Sequence, residues 1–193
     1  IIVGDIDVDA IEARIKEMFA DIPTPVNPAE RTRFMIEDNA EPIVAIASDP
    51  ELTSTSLQIF YKHDVTPDEY KQSPDYWMSQ YVLNLISQMQ INRLQELTQK
   101  PNPPFVGGYS YFGDYYLAPT KAAWTSYAMP KDNASIEEAL TALVVENKRM
   151  QQHGFTASEY ERAKADFMKR VESAYNERNN TENEKHVDAC LQH

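Results

Sequence analysis

The chain has 193 residues, of which 42% are apolar and 10% aromatic, a balance that excludes a disordered segment and fits one globular domain or two small ones. Its 30 acidic residues against 18 basic ones give a net charge of −12, a field that repels nucleic acid and anionic membrane surfaces. One cysteine excludes an internal disulfide, and the longest wholly apolar run, Ile43–Ala47, is far short of the roughly 20 residues a membrane-spanning helix needs.

The chain opens Ile1-Ile2-Val3-Gly4-Asp5, which reads as a strand already under way, with no initiator methionine and no signal-type segment. The expectation is a piece of a longer polypeptide. Ile11, Ile15, Met18 and Phe19 recur at helical spacing over about Asp7–Ala20, and Pro23, Pro25 and Pro28 then stop the helix. Ile43–Ala47 reads as a short buried strand and Ser54–Lys62 as a second one. Four segments carry the reciprocal cap in which a Ser or Thr and a Glu three residues on satisfy each other's amides: Thr66 with Glu69, Ser135 with Glu138, Thr156 with Glu159 and Thr181 with Glu184. The first leads into a long helix over about Asp75–Gln99, with Tyr81, Leu85, Met89, Ile91, Leu94 and Leu97 as its apolar positions.

Gly107–Leu117 and Lys121–Met129 read as paired strands turning near Pro119. Ser135–His153 is a helix with Ile136, Leu140, Leu143 and Val144 inward and Gly154 as a left-handed cap. A further helix runs from Thr156 through Tyr160, Ala163, Phe167, Val171 and Ala174, and Thr181 opens a last one. Helices packed on one face of a mainly antiparallel sheet, an α+β two-layer sandwich, is the economical arrangement of these elements. We expect residues 1–178 to form this single domain and 179–193 to begin a linker or helix leading onward.

Chemistry-bearing patterns are few. There is no H-E-x-x-H or H-x-x-E-H zinc motif, no G-x-S-x-G nucleophile turn and no phosphate-binding glycine loop. Glu182, His186, Cys190 and His193 fall at intervals of four, four and three, so a helix would align four potential metal ligands; a solvated helix face explains the same spacing. Asp64, Asp68 and Glu69 follow His63, where a helix start accounts for them. Phe105, Tyr109, Tyr111, Phe112, Tyr115, Tyr116, Trp124 and Tyr127 form the densest feature. Tyr109 and Tyr111 share one strand face, which suits either an extended peptide or ordinary cross-strand packing.

The order of motifs resembles the pitrilysin/insulinase (inverzincin) family of zinc metallopeptidases. IIVGDIDVDAIEARIKEMFADIP is similar to the entry into the second domain of a half of such enzymes. INRLQEL followed by GGYSY resembles the family's helix-to-strand passage, and HGFTASEYERAKADFMKRVESAYN its late helix pair. The resemblance spans Ile1 to about Asn176 and implies an α+β domain without the zinc motif, hence no cofactor in this piece and zinc elsewhere in the parent chain. It implies a parent that cleaves peptides or unfolded polypeptides in a closed chamber, with the other domains of the same polypeptide as partners. A bacterial periplasm or envelope location, ahead of cytoplasm, follows from the same likeness. Family members often place an Arg and a Tyr from such a domain against the peptide; here Thr98 stands at the Arg position and Tyr109 near the Tyr, with Arg93 at another basic position. Tyr109, Tyr111 and Arg93 are therefore the candidate substrate contacts. The alternative is a scaffold domain of an inactive relative that acts in assembly.

Overall fold

The computed structural model describes residues 1–30 and 32–191. They fall into two compact units, one built from the first 33 residues and the stretch from Arg170 onward, the other from Phe34–Lys169.

In the first unit, α1 (Val8–Met18) starts where the Asp7 carboxylate accepts the Ala10 amide at 3.0 Å, and Glu12 pairs with Lys16 one turn on. Of its apolar stripe only Ile11 is half-buried; Ile15, Met18 and Phe19 face solvent. The strand expected at Ile1–Val3 does not form, and Ile1 and Ile2 are exposed. A strand needs a partner for its amides and carbonyls, and none is paired there.

The second unit holds a three-stranded antiparallel sheet of β1 (Leu57–Asp64), β2 (Gly107–Asp114) and β3 (Lys121–Met129), in the order β1-β3-β2. β1 is the second apolar run of the sequence, shifted two to three residues toward the C-terminus. The other expected strand, Ile43–Ala47, is irregular, with Ile43, Val44 and Ile46 78%, 78% and 92% exposed. Local β-preference alone does not make a strand: without a ladder the run has no face to bury.

α2 (Pro74–Thr98) begins at Ser73, whose hydroxyl accepts the Tyr76 amide at 3.1 Å, with Pro74 in the first helical position where no amide partner is needed. The Thr66–Glu69 cap is replaced by a short 3₁₀ turn, Asp68–Tyr70, with no side-chain cap. α3 (Ile136–His153) is likewise preceded by a 3₁₀ turn, and Asp132, not Ser135, caps it by accepting the Ser135 amide at 2.9 Å and the Ser135 hydroxyl at 2.7 Å. Those bonds hold the Asp132 carboxyl below its ordinary range. Gly154 closes α3 at φ +62° and ψ −143°, a conformation open essentially to glycine, and its amide returns to the Met150 carbonyl. The Thr156–Glu159 cap opens α4 (Ala157–Asn176) as expected: the Thr156 amide donates to Glu159 at 2.6 Å and the Glu159 amide to the Thr156 hydroxyl at 3.3 Å. Thr181 instead donates its hydroxyl to the Arg178 carbonyl, and α5 spans Asn183–Leu191.

Cross-strand pairing gives the sheet two unlike faces. Leu57 opposite Ala128, and Ile59 opposite Ser126, turn toward the helices, where Leu94, Phe105, Ala139 and Leu143 complete a buried cluster. A second cluster joins Leu85 and Met89 of α2 to Ala163 of α4, with Tyr81, Phe155 and Phe167 against it. Gly108 is required beside the first: a Cβ there would sit 3.0 Å from the Phe105 ring and 3.1 Å from the Tyr127 carbonyl. On α3 the inward stripe is Ala139, Leu143 and Asn147, whereas Ile136 and Leu140, expected inward, are exposed. The reason is polar: Asn147 receives the Trp124 indole N–H at 3.2 Å and bonds Ser126, which in turn pairs with Ser110, all buried. α2 and α3 thus cover one face of an antiparallel sheet, which is the α+β arrangement the element order implied.

Candidate functional site

The other sheet face carries Gln58, Phe60, Lys62 and Asp64 of β1, Lys121, Ala123, Thr125, Tyr127 and Met129 of β3, and Tyr109 and Tyr111 of β2. Tyr109 pairs with Tyr127 across the ladder, and their rings stack at 4.8 Å with an 18° interplanar angle; Tyr111 lies 6.0 Å from Tyr109. Tyr109 and Tyr111 remain exposed, so two flat phenol rings stand in solvent on a rigid strand. Partial burial and the two neighbouring tyrosines raise the Tyr109 phenol above its ordinary pKa, which keeps it a neutral donor.

Toward the middle of the face, the Tyr111 ring leans over Gly113, where a Cβ would approach it to 3.1 Å, and Phe60 meets Tyr115 and Tyr116 edge-on at 5.3 and 5.6 Å. Ala123 and Thr125 are buried beneath this layer. At the far end, the Lys121 ammonium bonds Asp64 at 2.7 Å and Asp38 at 2.9 Å, with its side chain 4% exposed. Those hydrogen bonds raise the lysine and lower Asp38. Lys62 donates to the Glu37 carbonyl at 3.0 Å and the Thr120 hydroxyl to the Phe34 carbonyl at 3.1 Å, so residues 34–38 are pinned beside the same end. The two lysines of this face are therefore held by the chain itself.

Arg93, the third candidate peptide contact, is buried. Its guanidinium is buried, forked onto Glu159, where Nη2 donates at 3.0 Å; Nη2 also donates to the Gly154 carbonyl at 2.9 Å, and the group lies 4.3 Å over the Phe155 ring. The Arg93 hydrogen bond drives Glu159 down to about 2, assisted by Thr156, and raises Arg93 further. This is a clasp between α2 and the start of α4, not a surface group. Thr98 ends α2 with its hydroxyl donated back to the Gln95 carbonyl at 2.7 Å. It offers no fork for a carbonyl or carboxylate.

Of the proposed metal stripe, Glu182 precedes the first residue of α5, His186 and Cys190 lie exposed on it, and His193 is outside the described residues. Among the described residues no three His, Cys, Asp or Glu side chains gather as a metal site, and no zinc chemistry is assigned to them. No helix among them is long and apolar enough to cross a membrane. Sequence reasoning missed Lys121 and Asn147, whose partners lie at least 21 residues away in the chain, and Glu159 was legible only as a cap.

Residues 1–167 match the family model described as the peptidase M16 inactive domain. No curated protein sequence matches the chain. The periplasmic protease PqqL from Escherichia coli is similar in structure, with a TM-score of 0.74 and 20% identity over 98% of this chain and 20% of that one. The first half of PqqL gives 0.70 and 21% over 95% of this chain and 38% of that one. A predicted insulinase family protease from Yersinia pestis gives 0.78 and 11% over 98% of this chain and 39% of that one. At such identities the likeness is one of fold, and the chain spans no more than two fifths of any of these three solved chains.

Proposed function

The chain belongs to the M16 peptidase family, as its inactive domain, and from that premise we propose that it forms a non-catalytic wall of the peptide chamber in a longer zinc metallopeptidase. In this reading residues 1–178 act as one family domain, the open sheet face looks into the chamber, and Tyr109 and Tyr111 meet an extended peptide. Support comes from a single observation: these two rings are exposed on a rigid strand, on the face that the helices leave uncovered. Phenol rings contribute contact area at little entropic cost, and their hydroxyls would donate to peptide carbonyls. The zinc and the general base belong to another domain, which this one would hold in place. An envelope location is proposed by analogy with the periplasmic E. coli neighbour.

The test uses the parent polypeptide and a quenched unfolded peptide. Metal-dependent cleavage that falls severalfold in kcat/KM on Tyr109→Ala and Tyr111→Ala, with folding intact, supports the proposal. A parent that cleaves no peptide before or after zinc addition would instead fit the second reading, an assembly scaffold. Thr98, standing where the family resemblance leads one to expect an arginine, favours that reading.

A further inference from the structure

Two buried polar atoms of α2 have no hydrogen-bond partner among the described residues: the side-chain oxygen of Gln90, Oε1, and the guanidinium nitrogen Nη1 of Arg93. Gln90 is 0% exposed and Arg93 5%, so bulk solvent satisfies neither. Burying an acceptor or a charged donor in this way is costly, and protein interiors answer it with an ordered molecule where the surroundings are polar.

The neighbours decide what that molecule must be. Gln90 and Arg93 lie three residues apart, so they share one face of α2, and both reach toward α3. The Gln90 amide donates to Asn147 of α3 at 3.5 Å, the outer limit of a hydrogen bond, and Arg93 Nη2 donates to the carbonyl of Gly154, which closes α3. Glu159 takes Nε and Nη2 of Arg93, and the Phe155 ring covers the guanidinium plane, so the Nη1 hydrogens are the ones left over. Glu146 of α3 is buried as well, with Arg149 no nearer than 3.4 Å. Arg93 is raised first by its bond to Glu159, and after Glu159 the carboxylate whose charge acts most on it is Glu146.

A cation would be repelled by the guanidinium, and an anion by Glu146 and the Gln90 oxygen. An apolar group would leave both atoms unanswered. The occupant has to take a hydrogen bond from Nη1 and give one to Oε1, which a water does, with its second hydrogen available to a carboxylate.

We propose that one internal water sits between α2 and α3, accepting from Arg93 Nη1 and donating to Gln90 Oε1 and to the Glu146 carboxylate. It joins two polar groups that otherwise stop short of each other. On one side are Ser110, Ser126, Trp124 and Asn147, with Gln90 at their end; on the other are Arg93, Glu159 and Thr156. With the water in place, one hydrogen-bonded chain runs from the sheet through α3 and α2 to the start of α4.

A crystal structure of the full chain, at a resolution that shows ordered solvent, tests this directly. The expected result is a single water within about 3.2 Å of both Gln90 Oε1 and Arg93 Nη1. Glu146 in direct contact with Nη1 overturns the proposal, and so does an empty site. Oxygen-17 relaxation dispersion, which counts long-lived internal waters, gives a second reading in solution. Gln90→Met keeps the length of the side chain and removes its polar end, so the amplitude should fall by about one molecule. Equal amplitudes in the variant and the parent chain refute the assignment. A far-ultraviolet spectrum matching the parent chain checks that the variant is folded, and the crystal structure of the unaltered chain decides the matter if it is not.

Discussion

The two faces of the sheet are made from the same three strands and do opposite work. On the helix side Ser110, Ser126, Trp124 and Asn147 form one buried hydrogen-bond network, and Leu94, Phe105 and Leu143 fill the space around it. On the other side Tyr109 and Tyr111 stand exposed, with Tyr109 stacked on the half-buried Tyr127. The difference teaches where stability resides and where contact surface is left over. Substitutions on the first face should unfold the protein, and those on the second should leave it folded with altered binding.

The largest expected loss is at Phe105, wholly buried: Phe105→Ala should cost about 3–5 kcal/mol, read from the urea midpoint. Glu159→Ala should follow at about 3 kcal/mol, because it strands a buried guanidinium and removes a helix cap together. The pH dependence sharpens this. Glu159 titrates near 2 when folded and near its ordinary 4.5 when unfolded, so its contribution is complete above about 4.5 and is lost as pH falls toward 2. The stability gap between parent and variant should therefore narrow across that window; a gap unchanged at pH 2 would refute the ionic origin. Gly108→Ala should cost about 1–3 kcal/mol by forcing Phe105 and the β3 backbone apart. Smallest is Tyr109→Ala, below about 1.5 kcal/mol in stability, the range of one aromatic pair. A loss at Tyr109 as large as that at Phe105 would break the comparison outright.

What was legible in the residues was whatever is settled within a few positions. α2 and α4 announced themselves through periodicity, and the Thr156–Glu159 cap formed as written. β3 was legible as a strand, but not its two sides, because Lys121-Ala-Ala-Trp-Thr-Ser126 is buried throughout and a central strand shows no alternation. The α3 stripe misled for a related reason: counting large apolar residues picks Ile136 and Leu140, while the sheet demanded a small Ala139 and a hydrogen-bonding Asn147. The partner of Arg93 was not legible, because the carboxylate that holds it lies 66 residues away in the chain. That Tyr109 and Tyr111 share one face was legible from strand alternation, which needs no distant partner to decide it, whereas their choice as substrate contacts came from the family resemblance.

A single carboxylate, that of Glu159, answers both the Thr156 amide at the entry to α4 and the Arg93 guanidinium in the last third of α2. Loosening the opening turn of one helix therefore exposes an ion in the other, and neither can fray alone. The two helices should lose their order in a single step on heating, with no stage at which α4 melts from its beginning while α2 keeps its charge covered.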